Sequence, residues 1–316
     1  MGRAKTLLER AERVDGLKQD EYGVWRDQHG RAALWRADGK GRAPYRRASD
    51  IGKQVEDPRL LRAFDERKVA EGVGMNEHLQ VAVASSWRNR NRMNEICAEA
   101  KMLAKAKDRA VKGTAEHHFF DDVDLDRMTD RPRHLDGDVD AYLTLTRPRL
   151  EHLDVEQFVA CDTSLAGLPV FLCGRLDRRS RLLVDLPFPR ALWDVAGMDH
   201  MPAGEIVIVD NKTGASVDFA QISWGMQEAT YAHGDPYDLT TDERGHWDER
   251  PRTDWALVVH VPYGEGEARL HWLNIGKAWT YLPIAISRIY ANAEKDQLMA
   301  PVPKAHIIRS DRRMNW

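Results

Sequence analysis

The chain has 316 residues, 42% hydrophobic and 31% charged, with a formal net charge of −3. That is ordinary for a globular protein with enough apolar sequence for one large core or two modest ones. No stretch approaches the roughly eighteen consecutive apolar residues of a transmembrane helix, so no membrane span is expected.

The opening stretch, MGRAKTLLERAERVDG, is charged throughout and lacks the apolar core of a signal peptide, which leads one to expect an intracellular protein. Cys97, Cys161 and Cys173 are odd in number and contain no CxxC pair, so they read as reduced, buried thiols. Charge is uneven. Residues 1–116 hold 25 Lys and Arg against 18 Asp and Glu, and the remainder holds 22 against 32, so a balance of +7 precedes one of −10. A basic front with an acidic remainder fits a phosphate-binding surface beside a carboxylate-rich site, and fits equally well Arg-rich helices that solvate one face.

In chain order, residues 1–20 suggest a short charged helix. The stretch 21–47 mixes Trp25, Trp35 and Tyr45 with Gly and Arg and reads as loop or hairpin. Helical patterning starts near Ser49, a plausible N-cap, and runs to about 83 with breaks around Gly72 and Gly74. A long helix-favouring run covers about 86–112 and leads into Gly113-Thr114-Ala115-Glu116-His117-His118. After Arg149 the character changes. The segments 153–160 (LDVEQFVA), 168–176 (LPVFLCGRL) and 205–210 (EIVIVD) are short, β-branched or aromatic, and bounded by Gly, Pro and Asp, as strands of one mixed sheet would be. A helix at about 218–233, strands at about 254–262 and 268–275, and a final helix at about 276–295 follow. The tail from Pro301 is polar. The expected fold class is α/β, a central mixed sheet flanked by helices, with an N-terminal helical region. The corresponding divisions are a basic, mainly helical region 1–109, a core 110–300 and a tail 301–316.

Three stretches carry the chemistry. Gly174-Arg175-Leu176-Asp177 puts an aspartate at the end of a predicted strand. Ile206 to Val209 is an aliphatic strand ending in Asp210-Asn211-Lys212-Thr213-Gly214, and two-residue alternation sends Asp210 and Lys212 to one side. Gln227 and Tyr231, four apart on the next helix, share a face. Phosphodiester hydrolysis needs a cation to neutralise charge and lower the pKa of an attacking water. Hard ions such as Mg²⁺ or Mn²⁺ prefer carboxylate oxygens, and a neighbouring lysine can position the water. Taken singly, each stretch has a bland reading: Asp177 capping a turn, DNKTG closing a hairpin with Lys212 solvated, Gln227 and Tyr231 on an amphipathic face. Their order and spacing together favour a shared site.

GRLD, a hydrophobic strand ending in DNKTG, and QEATY together resemble motifs II, III and the QxxxY element of RecB-like PD-(D/E)XK nucleases, of the phage exonuclease type. The family also has an upstream histidine in a Gly-Thr-x-x-His setting, and Gly113 to His117 fits it, with His118 as competitor. The resemblance implies a restriction-endonuclease-like core and a Mg²⁺ or Mn²⁺ ion held by His117, Asp177 and Asp210, with the Asn211 carbonyl as a further ligand. Lys212 would act on the water, while Gln227 and Tyr231 would order the site or contact DNA. Glu156 and Thr213 would support it. The implied activity is a metal-dependent DNA exonuclease in phage recombination or end processing, in the phage or host cytoplasm. Its substrate would be double-stranded ends or single strands, and the resemblance leaves room for a recombination partner protein and for a homo-oligomer. A structure-specific or nicking endonuclease, or a non-catalytic DNA-binding or assembly subunit, are the alternatives.

The sequence departs from the commoner family pattern where Asp177 and Asp210 are widely separated, so that 178–204 reads as an insertion near the site, and where Asp210 of the D-x-K element replaces the commoner glutamate, as is usual in this branch. With three scattered cysteines no iron–sulfur cluster is expected. Other signals fade. Asp122, Asp124 and Asp126 imitate a calcium loop, but Arg127 and Arg133 stand where Gly and Glu belong. Gly264 and Gly266 lack a dinucleotide fingerprint's third glycine, and no phosphate-binding P-loop motif occurs. Trp25, Trp35 and Tyr45 among arginines could stack on bases, though local packing is the favoured reading.

Overall fold

The computed structural model describes residues 16–20, 23–106, 108–127, 132–165 and 168–294. Most of the charged helix expected over 1–20, and all of the tail 301–316, lie outside them. The chain begins with four short strands, β1 (Lys18–Gln19), β2 (Trp25–Arg26), β3 (Ala32–Trp35) and β4 (Arg42–Arg47). Helices α1 (Ala48–Gly52), α2 (Arg59–Gly74), α3 (Glu77–Ser86), α4 (Arg90–Leu103), α5 (Asp108–Asp124) and α6 (Asp136–Thr146) follow. Strands β5 (Leu150–Val155), β6 (Phe158–Leu165), β7 (Leu168–Arg175) and β8 (Arg178–Leu182) precede a small excursion with β9 (Leu186–Pro187), α7 (Trp193–Ala196) and β10 (His200–Met201). Next come β11 (Ile206–Lys212), α8 (Gln221–His233), β12 (Asp235–Asp238) and β13 (Glu243–Arg244). The described part closes with β14 (Trp255–His260), β15 (Arg269–Asn274), α9 (Ile275–Trp279) and α10 (Leu282–Glu294). This is a mixed α/β protein, and no described helix is long and apolar enough to cross a membrane.

Two sheets organise it. One runs in the order β15-β14-β11-β8-β5, the other β1-β2-β3-β4-β7-β6-β12-β13. In the first, β11 and β14 are parallel, with α8 in the crossover between them, and the other pairs are antiparallel. One bent hairpin joins the sheets. Only Glu156 and Gln157 separate β5 from β6, and only Leu176 and Asp177 separate β7 from β8. The ladder continues across that gap through Glu156 N–H to the Asp177 carbonyl (2.9 Å) and Leu176 N–H to the Gln157 carbonyl (3.0 Å). Glu156 has a φ of 55°, a left-handed conformation unusual for a residue with a side chain, and it sits where the ribbon turns from one sheet to the other.

Several sequence expectations are corrected. The stretch 21–47 forms antiparallel hairpins, as one of its two readings allowed, but β4 also pairs in parallel with β7 (Arg46↔Leu172, Arg47↔Cys173), so strands from both sides of residues 109/110 share one sheet. The arginines of β4 (RAPYRR) and those flanking β3, Arg31 and Arg36, concealed it. Tyr45 is core, its hydroxyl bonded to Asp162, while the Arg42 guanidinium lies over the Trp25 and Trp35 rings at 5.6 and 5.0 Å. Ser49 is no N-cap, because α1 already starts at Ala48. Gly72 lies inside α2, where an added Cβ would come within 2.0 Å of the Ala100 carbonyl oxygen; the glycine allows α4 to cross rather than breaking α2. The single helix expected at 86–112 is divided. The Asn89 side chain accepts from Arg92 N–H and starts α4, and Lys105 (φ 52°) turns the chain before α5. The final helix is likewise split into α9 and α10 at Thr280 and Tyr281. The 178–204 segment is no simple insertion either: it opens with β8, a central strand between β5 and β11. RRSRL looks like a solvated segment, yet Arg178, Arg179 and Ser180 are buried.

Packing explains β11. Val207 and Val209 belong to the core that includes Phe120 of α5 and Tyr142 of α6, stacked at a centroid distance of 4.4 Å. Ile208 belongs to the core on the other face, with Ala229 and Tyr231 of α8. A strand buried on both faces is continuously aliphatic, and each such side chain contributes about 1.5–3 kcal/mol by burial. Helices α2, α3 and α4 gather about a small core of their own, Leu79, Ile96 and Ala100. Cys161 and Cys173 are buried free thiols in β6 and β7, while Cys97 is only half-buried.

Candidate functional site

The alternation that sends Ile208 toward α8 also sends Asp210 and Lys212 there. Asp210 is 2% exposed, and the Lys212 ammonium pairs with its carboxylate. Burial pushes the Asp210 carboxyl up to about 6, and the neighbouring Asp177 adds to this, while Lys212 works against it. Burial also opposes the charge on Lys212, but the Asp210, Asp177 and Glu228 carboxyls outweigh it and hold that amine above its usual range. The Lys212 Nζ also lies 5.1 Å from the centroid of the Trp224 ring.

Asp177 reaches the same place from the bend of the hairpin. Its Oδ2 accepts the Asn211 backbone N–H at 2.8 Å, which fastens the bend to the end of β11. His117, from α5, brings Nδ1 to 3.6 Å from that oxygen. Burial lowers the imidazole's proton affinity, although Asp177 opposes it, and so favours the neutral ring that a metal would need. Helix α5 can come this close because of Gly113, where a Cβ would lie 2.3 Å from Thr213 Oγ1. His118 points elsewhere: it is largely exposed and faces Asp121 at 3.8 Å.

The structure thus brings together His117, Asp177, Asp210, Asn211, Lys212 and Thr213. Gln227 is half-buried and donates to Glu228 Oε1 at 3.2 Å. Tyr231 packs its hydroxyl against the hairpin, where a Cβ on Gly174 would meet it at 2.5 Å. Glu156 sits at the rim, 3.6 Å from Arg175, with burial raising its carboxyl to about 7 and Asp121 and Asp177 adding to the rise.

Two functional-looking residues escaped the sequence reading. Glu228 is 1% exposed, its Oε2 has no hydrogen-bond partner, and burial followed by Asp210 raises its carboxyl far above the ordinary range. Its signal was the one charged residue in the helical stretch MQEATYA. Arg178 is fully buried and binds Asp121 (2.8 Å) and Asp124 (2.7 Å) of α5 while donating to the Asp177 carbonyl (2.9 Å). It thereby ties the helix that carries His117 to the residue beside it.

Among the described residues no group of three or more His, Cys, Asp or Glu side chains is already arranged to hold a metal ion. The donor chemistry nevertheless suits a hard divalent cation: one neutral imidazole, two carboxylates, and buried side-chain oxygens on Asn211 and Glu228 without partners. What such a cation would compete with is the ammonium of Lys212 for Asp210. Beyond Gly174 and Tyr231 a cleft of about 230 Å³ has Arg26, Arg47 and Arg175 on its walls. Compared with known proteins, the chain matches no family model, and no curated protein is significantly similar to it.

Proposed function

We propose that the protein is a metal-dependent DNA nuclease with a PD-(D/E)XK core of the RecB-like kind, acting as an exonuclease in recombination or end processing. One observation carries the reading: the Asp177 carboxylate is fastened to Asn211 N–H (2.8 Å), between the Asp210–Lys212 pair and the His117 imidazole (3.6 Å). Two supports accompany it. The mixed sheet in which β11 and β14 run parallel and their neighbours antiparallel, with α5 and α8 beside it, is consistent with the mixed-sheet core that the resemblance implies. The arginine-walled cleft beside the site suits a phosphate backbone.

His117, Asp177 and Asp210 would hold Mg²⁺ or Mn²⁺, with Asn211 adjoining. When bound, the ion would neutralise phosphate charge and lower the pKa of a water. The chain's own contribution is geometric and electrostatic. Lys212, released from Asp210, is the cation free to orient a nucleophilic water and to meet the charge developing on phosphorus. Glu228 adjoins that pair and accepts from Gln227, and Tyr231 packs α8 against the hairpin. No iron–sulfur cluster enters this proposal.

The test is degradation of linear and covalently closed DNA, double- and single-stranded, with Mg²⁺, Mn²⁺ or EDTA, beside Lys212→Ala. Cutting of linear DNA only, abolished by EDTA and by the substitution, is the expected result. Cutting of closed circles would make it an endonuclease. Folded protein that binds DNA but never cuts, with either metal, would replace the proposal with a non-catalytic DNA-binding subunit.

A further inference from the structure

The helical unit α2–α4 carries a feature that the candidate site does not use. Helix α3 places Leu79, Ala82 and Val83 in its small core and ends at Ser86; α4 begins at Arg90. The connection is a tight turn, with Asn89 N–H bonded to the Ser86 carbonyl at 2.7 Å, and its residues point outward. Trp87 is 63% exposed, although indole is among the most costly side chains to leave in water. The Arg88 guanidinium lies over its ring at 4.5 Å. Arg92, one turn into α4, is neutralised by Glu95 at 2.8 Å, whereas among the described residues neither Arg88 nor Arg90 has an acidic partner. Ser86, Arg88, Asn89 and Arg90 line a shallow open hollow beside the indole. No acidic residue occurs between Gln80 and Asn94, in the half of the chain with the basic balance.

We infer that the α3–α4 turn is a nucleic-acid contact in which Trp87 stacks on a base of a single strand while Arg88 and Arg90 bind the flanking phosphates. The chemistry is that of a stacking platform beside an electrostatic track. An exposed indole offers a face to any base, and a guanidinium already lying on one side of the ring can extend the stack and reach a phosphate. The hydroxyl of Ser86 and the Asn91 amide supply neutral donors at the same rim, while the Asn89 oxygen is committed to capping α4 (Arg92 N, 3.1 Å). The contact reads no particular base, because no rigid bidentate donor pair is fixed in the turn. A single strand is favoured over a duplex because stacking needs an unpaired base. The inference rests on nucleic acid being the protein's substrate and adds a second hold on it, on the unit that leads directly into the helix of His117.

The experiment is fluorescence anisotropy of a labelled oligothymidylate and a labelled blunt duplex with the full chain in EDTA, titrated over salt concentration, so that cleavage plays no part. All the substitutions lie on exposed positions that leave the α2–α4 core untouched. Arg88→Ala/Arg90→Ala should weaken single-strand binding about tenfold or more and reduce the magnitude of the salt slope by roughly 1.4, two phosphates at about 0.7 each. Trp87→Ala should weaken it about five- to a hundredfold with little change in slope, Trp87→Phe should retain most of it, and duplex binding should respond far less to either. Unchanged affinity and slope in the variants, with the wild type still binding, would overturn the contact and leave the nuclease proposal standing. Equal losses on duplex and single strand would overturn the stacking role. A wild type that binds neither probe and cuts no DNA would sink both proposals.

Discussion

The backbone amide of Asn211 donates to the Asp177 carboxylate across 2.8 Å, joining the bend of a hairpin to the end of a strand 34 residues away in sequence. That bond gives Asp177 two separable duties, a structural acceptor and a charge. An asparagine at 177 keeps an oxygen for the amide and loses the charge, whereas an alanine loses both. Asp177→Asn should therefore melt near the wild-type temperature while cleavage falls by at least about a hundredfold. Asp177→Ala should lose cleavage and, in addition, about 1–3 kcal/mol of stability from the unsatisfied amide. Thermal unfolding beside a gel cleavage assay separates them; an equal loss of stability in both variants would deny the structural duty.

How much of this was legible follows from which signals are local. Ile206 to Val209 followed by Asp210 and Lys212 is a local pattern, because burial on both faces demands aliphatic residues and alternation fixes the side. The GRLD aspartate was marked by its place at the end of a predicted strand, and the Gly113–His117 segment only by its resemblance to the family's Gly-Thr-x-x-His setting. Strand β8 was not, because Arg178 and Arg179 look solvated until Asp121, Asp124 and Asp154 are known to receive them. The hairpin pairing of β2, β3 and β4 is local, but their place in the larger sheet escaped because β7, the partner of β4, lies more than a hundred residues on. Glu228 hid between Gln227 and Tyr231, whose spacing drew the reading, yet the acid is the more deeply buried of the two neighbours Gln227 and Glu228. Only the register of α8 over β11 reveals it.

Glu116 makes a pH prediction. It is fully buried with both carboxyl oxygens unpartnered among the described residues, and burial, followed by the neighbouring Asp138 carboxyl, raises its carboxyl to about 8. Both Asp138 oxygens already accept backbone N–H groups, from Gly264 (2.6 Å) and Gly266 (2.7 Å), so a bond between the two carboxyls would need Glu116 to supply the proton. An acid whose folded pKa is raised contributes stability that is complete below its unfolded pKa of about 4.5 and is lost as pH climbs through the folded value. Wild-type stability should thus decline between about pH 5 and 8 from this group, and Glu116→Gln should flatten that decline. Urea unfolding across the range gives the slope; parallel curves for the two proteins would contradict the assignment.

Arg178 is held by both Asp121 and Asp124 and has no exposed surface. Its removal leaves two carboxylates of α5 without their cation, a situation that costs about 3–5 kcal/mol in buried pairs. Arg178→Met should show that loss in urea unfolding. Arg178→Lys, which keeps the charge but lacks the planar fork, should fall between it and the wild type. Methionine at no cost would mean that the network is solvated in solution.

Metal binding supplies the sharpest separation of roles, because Lys212 and a cation compete for Asp210. A ligand that binds only the folded state raises stability by RT ln(1 + [L]/Kd), about 2.7 kcal/mol at a hundredfold excess over Kd. Mn²⁺ should therefore raise the melting temperature of the wild type relative to EDTA, and Asp210→Asn or His117→Ala should diminish that shift. Lys212→Ala should behave in the opposite way: it frees the Asp210 carboxylate, so the Mn²⁺ shift should persist or grow even as cleavage falls by about a hundred- to a thousandfold. Loss of the Mn²⁺ shift in Lys212→Ala would show that the lysine supports the ion instead of competing with it. A shift that survives the combined Asp177→Asn and Asp210→Asn substitutions would place the ion elsewhere on the chain.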